Sequence, residues 1–277
     1  MPFTTAHPAL VLPLKQLFPR YVSLTGLVAG AMAPDLLYFL CLTTDYRGVS
    51  HSWTGLLLFC LPAGLAFCFV FHWWFKGPFL RHFPAPLDRF FSGLADRRWL
   101  PTGRGQWLVL ILSLTAGALS HFFWDSWTHA DGVVAQSFPW LLEHLDFAGL
   151  HVRYTELTQH LSTLFGTILI LWYIASGRLI PPAATRPQSA RTPGQKVRFW
   201  LTGLACSVIL AFGAVWLHFG SLTLDPAALP GSFHLYHKLG LGSWAGFFWA
   251  ACAYTVAGRL IERTRSGAVS SGENLKS

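Results

Sequence analysis

Long apolar runs separated by short polar loops dominate the pattern of the chain. A membrane-spanning helix needs roughly 20 apolar residues, because the hydrocarbon core of a bilayer is about 30 Å thick. Six segments reach or approach that length, namely residues 22–42, 53–75, 106–126, 157–177, 199–219 and 243–261. The pattern therefore predicts an all-α fold: a polytopic transmembrane helix bundle of about six spanning helices, with short interfacial helices between them.

The composition is typical of a protein whose surface largely faces lipid. Hydrophobic residues make up 53% of the chain and charged residues only 12%, whereas about a quarter of the residues in a soluble domain are charged. We expect residues 1–265 to form one transmembrane domain. Residues 266–277 are polar, and we expect them to form a disordered cytoplasmic tail.

The net charge of +8 indicates orientation in a membrane rather than binding to nucleic acid, because the basic residues lie in short loops and not along one stripe. Lys and Arg are frequent before predicted helix one, between helices two and three, between four and five, and after helix six. The other three loops carry one basic residue each. Since Lys and Arg favour the cytoplasmic side, we expect a multi-pass protein with both termini in the cytoplasm.

The sharpest chemical pattern lies at the predicted outer end of helix three. His121, Asp125 and His129 follow one another at four-residue steps, which place side chains on nearly one face of an α-helix if the helix continues that far. Imidazole and carboxylate groups at this spacing suit a zinc-type divalent ion. The alternative is a polar patch in which Asp125 forms a hydrogen bond with a neighbouring His or Trp.

Two further candidates lie on the same predicted side of the membrane. Asp35 is in the outer half of helix one, where a carboxylate is costly unless it is paired or coordinated. His51 lies where an outer loop enters helix two. Taken alone, Asp35 could stabilise helix packing and His51 could be a residue of the membrane interface. The argument for a joint site is that both are predicted to lie at the same depth in the membrane. The nearby Gly26-x-x-x-Gly30 pattern predicts close contact between helices.

His7 is harder to place on this side. Lys15 and Arg20 put the start of the chain on the cytoplasmic side, far from the other candidates. His7 can join them only if residues 3–20 turn back into the bundle.

Three motifs resemble an uncharacterised bacterial family, domain of unknown function 4184. They are Met1-Pro-Phe-Thr-x-x-His7-Pro8, Gly30-x-x-x-Pro34-Asp35 and Gln159-His160-x-Ser162. The resemblance covers roughly residues 2–260 and implies a bacterial inner-membrane protein.

The order of polar residues is also similar to a broader group of inner-membrane proteins described as metal-dependent hydrolases, which is thought to share its ligand order with zinc-dependent phospholipase C. The resemblance implies metal ligands at His7, Asp35, His51, His121 and Asp125, with Arg47 and Ser52 beside them. That group usually carries a His before Arg-Gly, where this chain has Tyr46. At this position the chain therefore lacks the histidine ligand of that group.

The leading hypothesis is a metal-dependent hydrolase at the outer membrane face, acting on a membrane lipid or another phosphoester. The expected cofactor is a divalent metal, zinc first, with candidate ligands His7, Asp35, His51, His121, Asp125 and His129 and candidate catalytic residues Asp125, His121 and Arg47. The alternatives are a proton- or cation-coupled transporter and a non-catalytic protein with a structural polar cluster. Transport requires polar residues through both halves of the bundle, and the inner half is nearly bare.

Overall fold

The computed structural model describes residues 4–42, 46–147, 150–178, 191–219 and 239–258. Five helices in this part of the chain are long and apolar enough to cross a membrane, and we call them helices one to five: Leu24–Cys41, Trp53–Arg81, Arg104–Ser137, Tyr154–Ala175 and Pro193–Leu217. Residues 239–258 cover most of the sixth predicted segment and are helical, although they fall outside that set of five. The prediction of an all-α helical membrane protein is confirmed.

Helices one and two are not regular along their whole length. Helix one consists of Leu24–Met32, a 3-10 turn Ala33–Asp35, and Leu36–Cys41. Helix two consists of Trp53–Gly55, a π-helical turn Leu56–Cys60, Leu61–Val70, a second π-helical turn Phe71–Phe75, and Lys76–Arg81. Proline lacks the backbone donor that α-helical bonding needs. Pro34 lies in the 3-10 turn, and Pro62 and Pro78 follow the ends of the two π-helical turns by two and three residues.

Shorter elements surround the long helices. The first two are a 3-10 helix Thr4–Leu10 and a helix Leu12–Leu17, and the loop before helix two contains Arg47–Ser50. Helix three is continuous over Arg104–Thr128 and is followed by Val133–Ser137 and a 3-10 turn Pro139–Leu142. An antiparallel hairpin of β1 (His144–Phe147) and β2 (Leu150–Arg153), which the sequence pattern did not predict, precedes helix four. The last helix before residue 220 extends over Pro193–Phe219.

The chain groups into two compact units. The first contains Met1–Tyr38, Thr44–Cys68 and Leu100–Pro181, and the second contains Phe39–Thr43, Phe69–Trp99 and Pro182–Ser277. All candidate ligands belong to the first unit. The predicted tail, residues 266–277, lies outside the described residues, and the assignment of residues 1–265 to one domain stays a prediction.

Helices one and three of the first unit approach each other through glycine. A Cβ atom added to Gly30 would lie 2.1 Å from the carbonyl oxygen of Leu114, and one added to Gly117 would lie 2.4 Å from that of Leu27. Neither position has room for a side chain, which confirms the close contact that the Gly26-x-x-x-Gly30 pattern predicts. This packing brings the parts of the two helices that carry Asp35 and His121 side by side.

The segment between helices two and three differs from its expected amphipathic form. Its periodicity favours one helix over residues 86–99 with Asp88 on the polar face, but the structure has two short helices, Leu87–Phe90 and Ser92–Asp96. Asp88 is buried and accepts a hydrogen bond from Lys196 within the second unit. Burial raises the pKa of the Asp88 carboxyl, but the bond from Lys196 outweighs that effect and holds the pKa below its usual range. Asp88 therefore forms a specific ion pair in a buried position, whereas the periodic pattern puts it on a solvent-facing side of the helix.

We expect Gly30→Ala to lower the free energy of unfolding by about 1–3 kcal/mol, because the added methyl group overpacks the contact with helix three. The matched control is Gly213→Ala, since a Cβ there meets no atom within 4 Å and alanine favours a helix over glycine. Reversible denaturation in mixed micelles measures both effects. Equal stability of the two variants would contradict the close-packing assignment.

Candidate metal centre

The first described residues form a buried segment in contact with the helices. Thr4 and the four residues from Ala6 to Ala9 are buried, with His7 only 1% exposed, whereas Leu10 at the end of the segment is 40% exposed. Helix four accommodates this segment at Gly166, where a Cβ would lie 2.9 Å from the carbonyl oxygen of Ala6. Thr4 Oγ1 donates a hydrogen bond of 2.6 Å to Asp35 Oδ2. The chain therefore turns back into the bundle, which is the condition under which His7 joins the other candidates.

The turn from this segment into helix one is closed by a lysine. Lys15 Nζ donates hydrogen bonds to the carbonyl oxygens of Pro19, at 2.6 Å, and Val22, at 2.9 Å. The Lys15 ammonium group thus stabilises the turn through these two hydrogen bonds. His7 and Lys15 are close in sequence, but only Lys15 belongs to the turn.

Four ligand-type atoms converge at the ends of helices one to three. His51 Nε2 lies 3.2 Å from His121 Nε2 and 3.3 Å from Asp125 Oδ2, and His121 Nε2 lies 3.5 Å from the same carboxylate oxygen. Asp35 Oδ1 lies 3.6 Å from both imidazole nitrogens. We call these four atoms the four-atom centre. Asp35 and His121 are completely buried, and Asp125 is 3% exposed.

The chemistry of the four-atom centre, and the separations that involve its two imidazole nitrogens, fit a zinc-type ion. Ligand atoms about 2.0–2.1 Å from such an ion lie about 3.3–3.4 Å from one another, and the five separations above range from 3.2 to 3.6 Å. Asp35 Oδ1 has no hydrogen-bond donor within the described structure although it is buried. Two imidazoles and two carboxylates are also a donor set that zinc accepts.

Outer contacts orient the two imidazoles toward the centre. His121 Nδ1 lies 2.7 Å from the carbonyl oxygen of Ala31, and because a carbonyl only accepts, Nδ1 carries a proton and Nε2 is the nitrogen that faces the centre. His51 Nδ1 lies 3.0 Å from Ser50 Oγ and 3.2 Å from the hydroxyl of Tyr38. Metal-binding histidines are commonly fixed in this way through their second nitrogen.

The other carboxylate oxygen of Asp125 faces two more histidines. His129 Nδ1 lies 3.5 Å and His7 Nε2 3.7 Å from Asp125 Oδ1, and the His7 ring stacks on His121 at 3.8 Å between centroids. Burial, reinforced by the nearby His121, lowers the pKa of His7 well below its usual value, so His7 is in the neutral form that binds metals. The continuous α-helical part of helix three ends at Thr128, so His129 reaches Asp125 from the extended residue that follows and not from a further helical turn.

Arg47 lies at the edge of the centre. Its Nη2 is 3.4 Å from Asp125 Oδ2, and its Nη1 donates to Asp131 Oδ2. Ser52 has a different role: its hydroxyl accepts a bond from the Gly55 amide and caps the start of helix two. Tyr46, at the position where the similar group carries a His, is half exposed.

Sequence reasoning missed three residues that contact candidate site residues: Thr4 contacts Asp35, Tyr38 contacts His51, and Asp131 contacts Arg47. Thr4 belongs to the opening motif, which is a signal that was available, but Tyr38 and Asp131 reach the site through contacts that no local pattern encodes. In the Gln159-His160-x-Ser162 motif of helix four, Gln159 is buried and donates to the carbonyl oxygen of Thr128, whereas His160 is exposed. Gln159 thus supports the end of helix three and is not a ligand.

The family model described as domain of unknown function DUF4184 matches residues 1–256. The chain belongs to this family. All residues of the candidate centre in this DUF4184 protein, from Thr4 to Asp131, lie within the matched range. No curated protein and no solved structure matches the chain. The chemistry of the site is therefore the basis for assigning a function.

We expect Thr4→Val to lower the free energy of unfolding of the DUF4184 protein by about 1–3 kcal/mol, because it leaves a buried oxygen of Asp35 without its donor. Thr4→Ser keeps the hydroxyl and should retain most of the stability. Denaturant unfolding of the two variants beside the wild-type protein measures the difference. If serine is as destabilising as valine, the hydrogen bond is not what holds the first segment in place.

Proposed function

We propose that this DUF4184 protein is a membrane-embedded, metal-dependent hydrolase. The observation that carries the proposal is the four-atom centre, in which one oxygen each of Asp35 and Asp125 lies 3.3–3.6 Å from the Nε2 atoms of both His51 and His121. Buried groups of three or more metal-ligand residues occur here in two overlapping sets that share His121, one with Asp35 and His51 and one with His7 and Asp125. Zinc is the ion that this donor set favours.

A zinc-type ion held by these residues would supply Lewis acidity and, with a water as a further ligand, would lower the pKa of that water toward neutrality. The protein supplies the rest. Thr4 fixes Asp35, and Ala31 and Ser50 fix the two imidazole rings, so the ligands need little reorganisation. His7 and His129 lie next to Asp125 Oδ1 and are placed to hold a proton there.

The proposed reaction is ester hydrolysis. The oxygen of water forms a bond to the phosphorus or acyl carbon of the substrate, and the bond to the alcohol oxygen breaks. One proton of the water passes to the leaving alcohol, for which the imidazoles beside Asp125 Oδ1 are the nearest carriers. No redox partner or second substrate is required.

Exposed aromatic residues around the centre support a lipid substrate. Trp53, Trp127 and Trp140 lie near it in the sequence and are 73%, 40% and 52% exposed. Tryptophan concentrates at the level of lipid headgroups. Together with the distribution of Lys and Arg among the loops, this supports a centre at the outer face of a bacterial inner membrane, with both termini cytoplasmic.

Within the first unit, the location of the buried Asp and His side chains favours hydrolysis over transport. Among the described residues of the first unit, the buried Asp and His side chains are His7, Asp35, His121 and Asp125. All four belong to the cluster described above. A proton or cation relay needs polar groups at successive depths of the bundle, and a single cluster at one end is what a catalytic site requires.

We expect the purified wild-type protein to retain about one zinc-type ion per chain and to hydrolyse a phosphodiester or carboxyl ester reporter. Asp35→Ala and Asp125→Ala should lose both the ion and the activity, because each removes one of four ligands and leaves the other carboxylate poorly compensated. Elemental analysis after removal of loosely bound metal measures the first effect. The matched control is Asp146→Ala, which removes an exposed carboxylate from the hairpin.

Retention of a full complement of tightly bound metal by Asp125→Ala would contradict the proposal. So would a wild-type protein that binds no divalent metal after supplementation. In the second case the cluster would serve helix packing alone.

Two glycines test the proposed orientation in the membrane. A Cβ at Gly48 or Gly103 meets no atom within 4 Å, so a cysteine fits at either position in a background without the native cysteines. A membrane-impermeant maleimide should label Gly48→Cys in spheroplasts from intact cells and Gly103→Cys only after the membrane is permeabilised. The reverse pattern would place the centre at the cytoplasmic face.

A further inference from the structure

Arg47 has hydrogen-bonding capacity that the structure does not use. Its guanidinium spans two carboxylates, since Nη2 lies 3.4 Å from Asp125 Oδ2 and Nη1 donates to Asp131 Oδ2. The Nε atom is buried and has no acceptor within the described structure. Guanidinium carries five N–H donors in a rigid fork that matches a phosphate or carboxylate. Arg47 therefore has donors left for one more oxyanion.

Arg47 also lies where a substrate must arrive. Its side chain is 25% exposed, whereas that of Asp125 is 4% exposed and that of Asp131 is 67% exposed. The guanidinium thus bridges a carboxylate of the buried centre and a carboxylate in contact with solvent. A group bound at the four-atom centre would have Arg47 beside it on the accessible side.

A count of charges indicates the kind of group that fits. The carboxylates of Asp35 and Asp125 together cancel a divalent ion, and neutral imidazoles add no charge. Arg47 is then the remaining positive charge, and Asp131 is its solvent-exposed counter-ion. An exposed ion pair contributes little to stability, so an incoming anion can replace Asp131 at small cost.

We propose that Arg47 binds the non-bridging oxygens of a singly charged phosphodiester held at the centre, and that Asp131 is the partner that this anion displaces. The inference rests on the proposed function and narrows its substrate class from esters in general to phosphodiesters. A neutral carboxyl ester offers no anion for the guanidinium. A phosphodiester offers two equivalent oxygens in the geometry that the guanidinium fork recognises.

The test uses dimethyl phosphate, a small phosphodiester, titrated calorimetrically into the zinc-loaded full-length protein in maltoside micelles, which contain no phosphate. Arg47→Met should weaken binding about tenfold to hundredfold, since charge-assisted hydrogen bonds of this kind are lost. Arg47→Lys keeps the charge without the fork and should be intermediate. Arg153→Met, which removes an exposed arginine in β2, should bind as the wild type does.

We expect Asp131→Asn to change the affinity for dimethyl phosphate in the opposite direction to Arg47→Met. It removes the competing carboxylate and keeps its size, so dimethyl phosphate should bind about two- to fivefold more tightly. If Asp131→Asn weakens binding as much as Arg47→Met, Asp131 is not a displaceable partner and that part of the proposal is overturned.

Metal content, measured on every variant, separates this inference from the proposed function. A wild-type protein without bound metal would overturn the proposed function and the inference with it. Full metal content with equal dimethyl phosphate affinity in Arg47→Met, Arg47→Lys and the wild type would overturn the inference alone. Arg47→Lys keeps the test valid if Arg47→Met does not fold.

A second arm identifies the source of the phosphodiester. The titration is repeated after phosphatidylglycerol is added to the micelles. If the bound group is a lipid headgroup, the added lipid should weaken the apparent affinity for dimethyl phosphate in the wild type and not in Arg47→Met. If the group comes from a soluble phosphodiester, the lipid should leave the affinity unchanged. Either result supports the role of Arg47, provided that Arg47→Met binds dimethyl phosphate more weakly.

Discussion

Two carboxylates buried beside the same pair of imidazoles impose the main constraint on the first unit. Asp35 and Asp125 each lie within 3.3–3.6 Å of His51 Nε2 and His121 Nε2. An ionised carboxylate removed from water is unfavourable by several kcal/mol unless it is paired or coordinated. Arg47 alone cannot compensate two such charges. A divalent ion held by these groups would do so, and the same ion would supply the chemistry of the proposed hydrolase.

The packing of helices one and three brings those groups together. Gly30 and Gly117 let helices one and three approach until backbone meets backbone, which places Asp35 next to His121. The 3-10 turn at Ala33–Asp35 lies within this contact, and the carbonyl oxygen of Ala31 just before it accepts the Nδ1 proton of His121. A break in regular helix geometry thus coincides with the ligands, as is common at functional sites.

Apolar run length and four-residue spacing predicted the membrane helices and the proximity of His121 and Asp125, because both follow from local geometry. Asp35 and His51 were predicted to lie near them only because all four were expected at the same depth in the membrane. The structure brings the four residues together. Their role as metal ligands stays a prediction. His7 required knowledge that the first segment turns back, which depends on the distant contacts of Thr4 and Gly166. The sequence did not predict the contacts of Tyr38 and Asp131 or the Asp88–Lys196 ion pair for the same reason. Each of these contacts depends on a partner that tertiary packing brings close.

X-ray absorption at the zinc edge on the purified, zinc-loaded protein tests the central claim most directly. The account predicts a shell of nitrogen and oxygen atoms at about 2.0–2.1 Å, with the outer-shell signal of two or more imidazoles. Substitution of His51 or His121 by alanine should remove part of that imidazole signal. A spectrum with sulfur ligands, or one of a hydrated ion without imidazole, would contradict the assignment of the four-atom centre as a metal site.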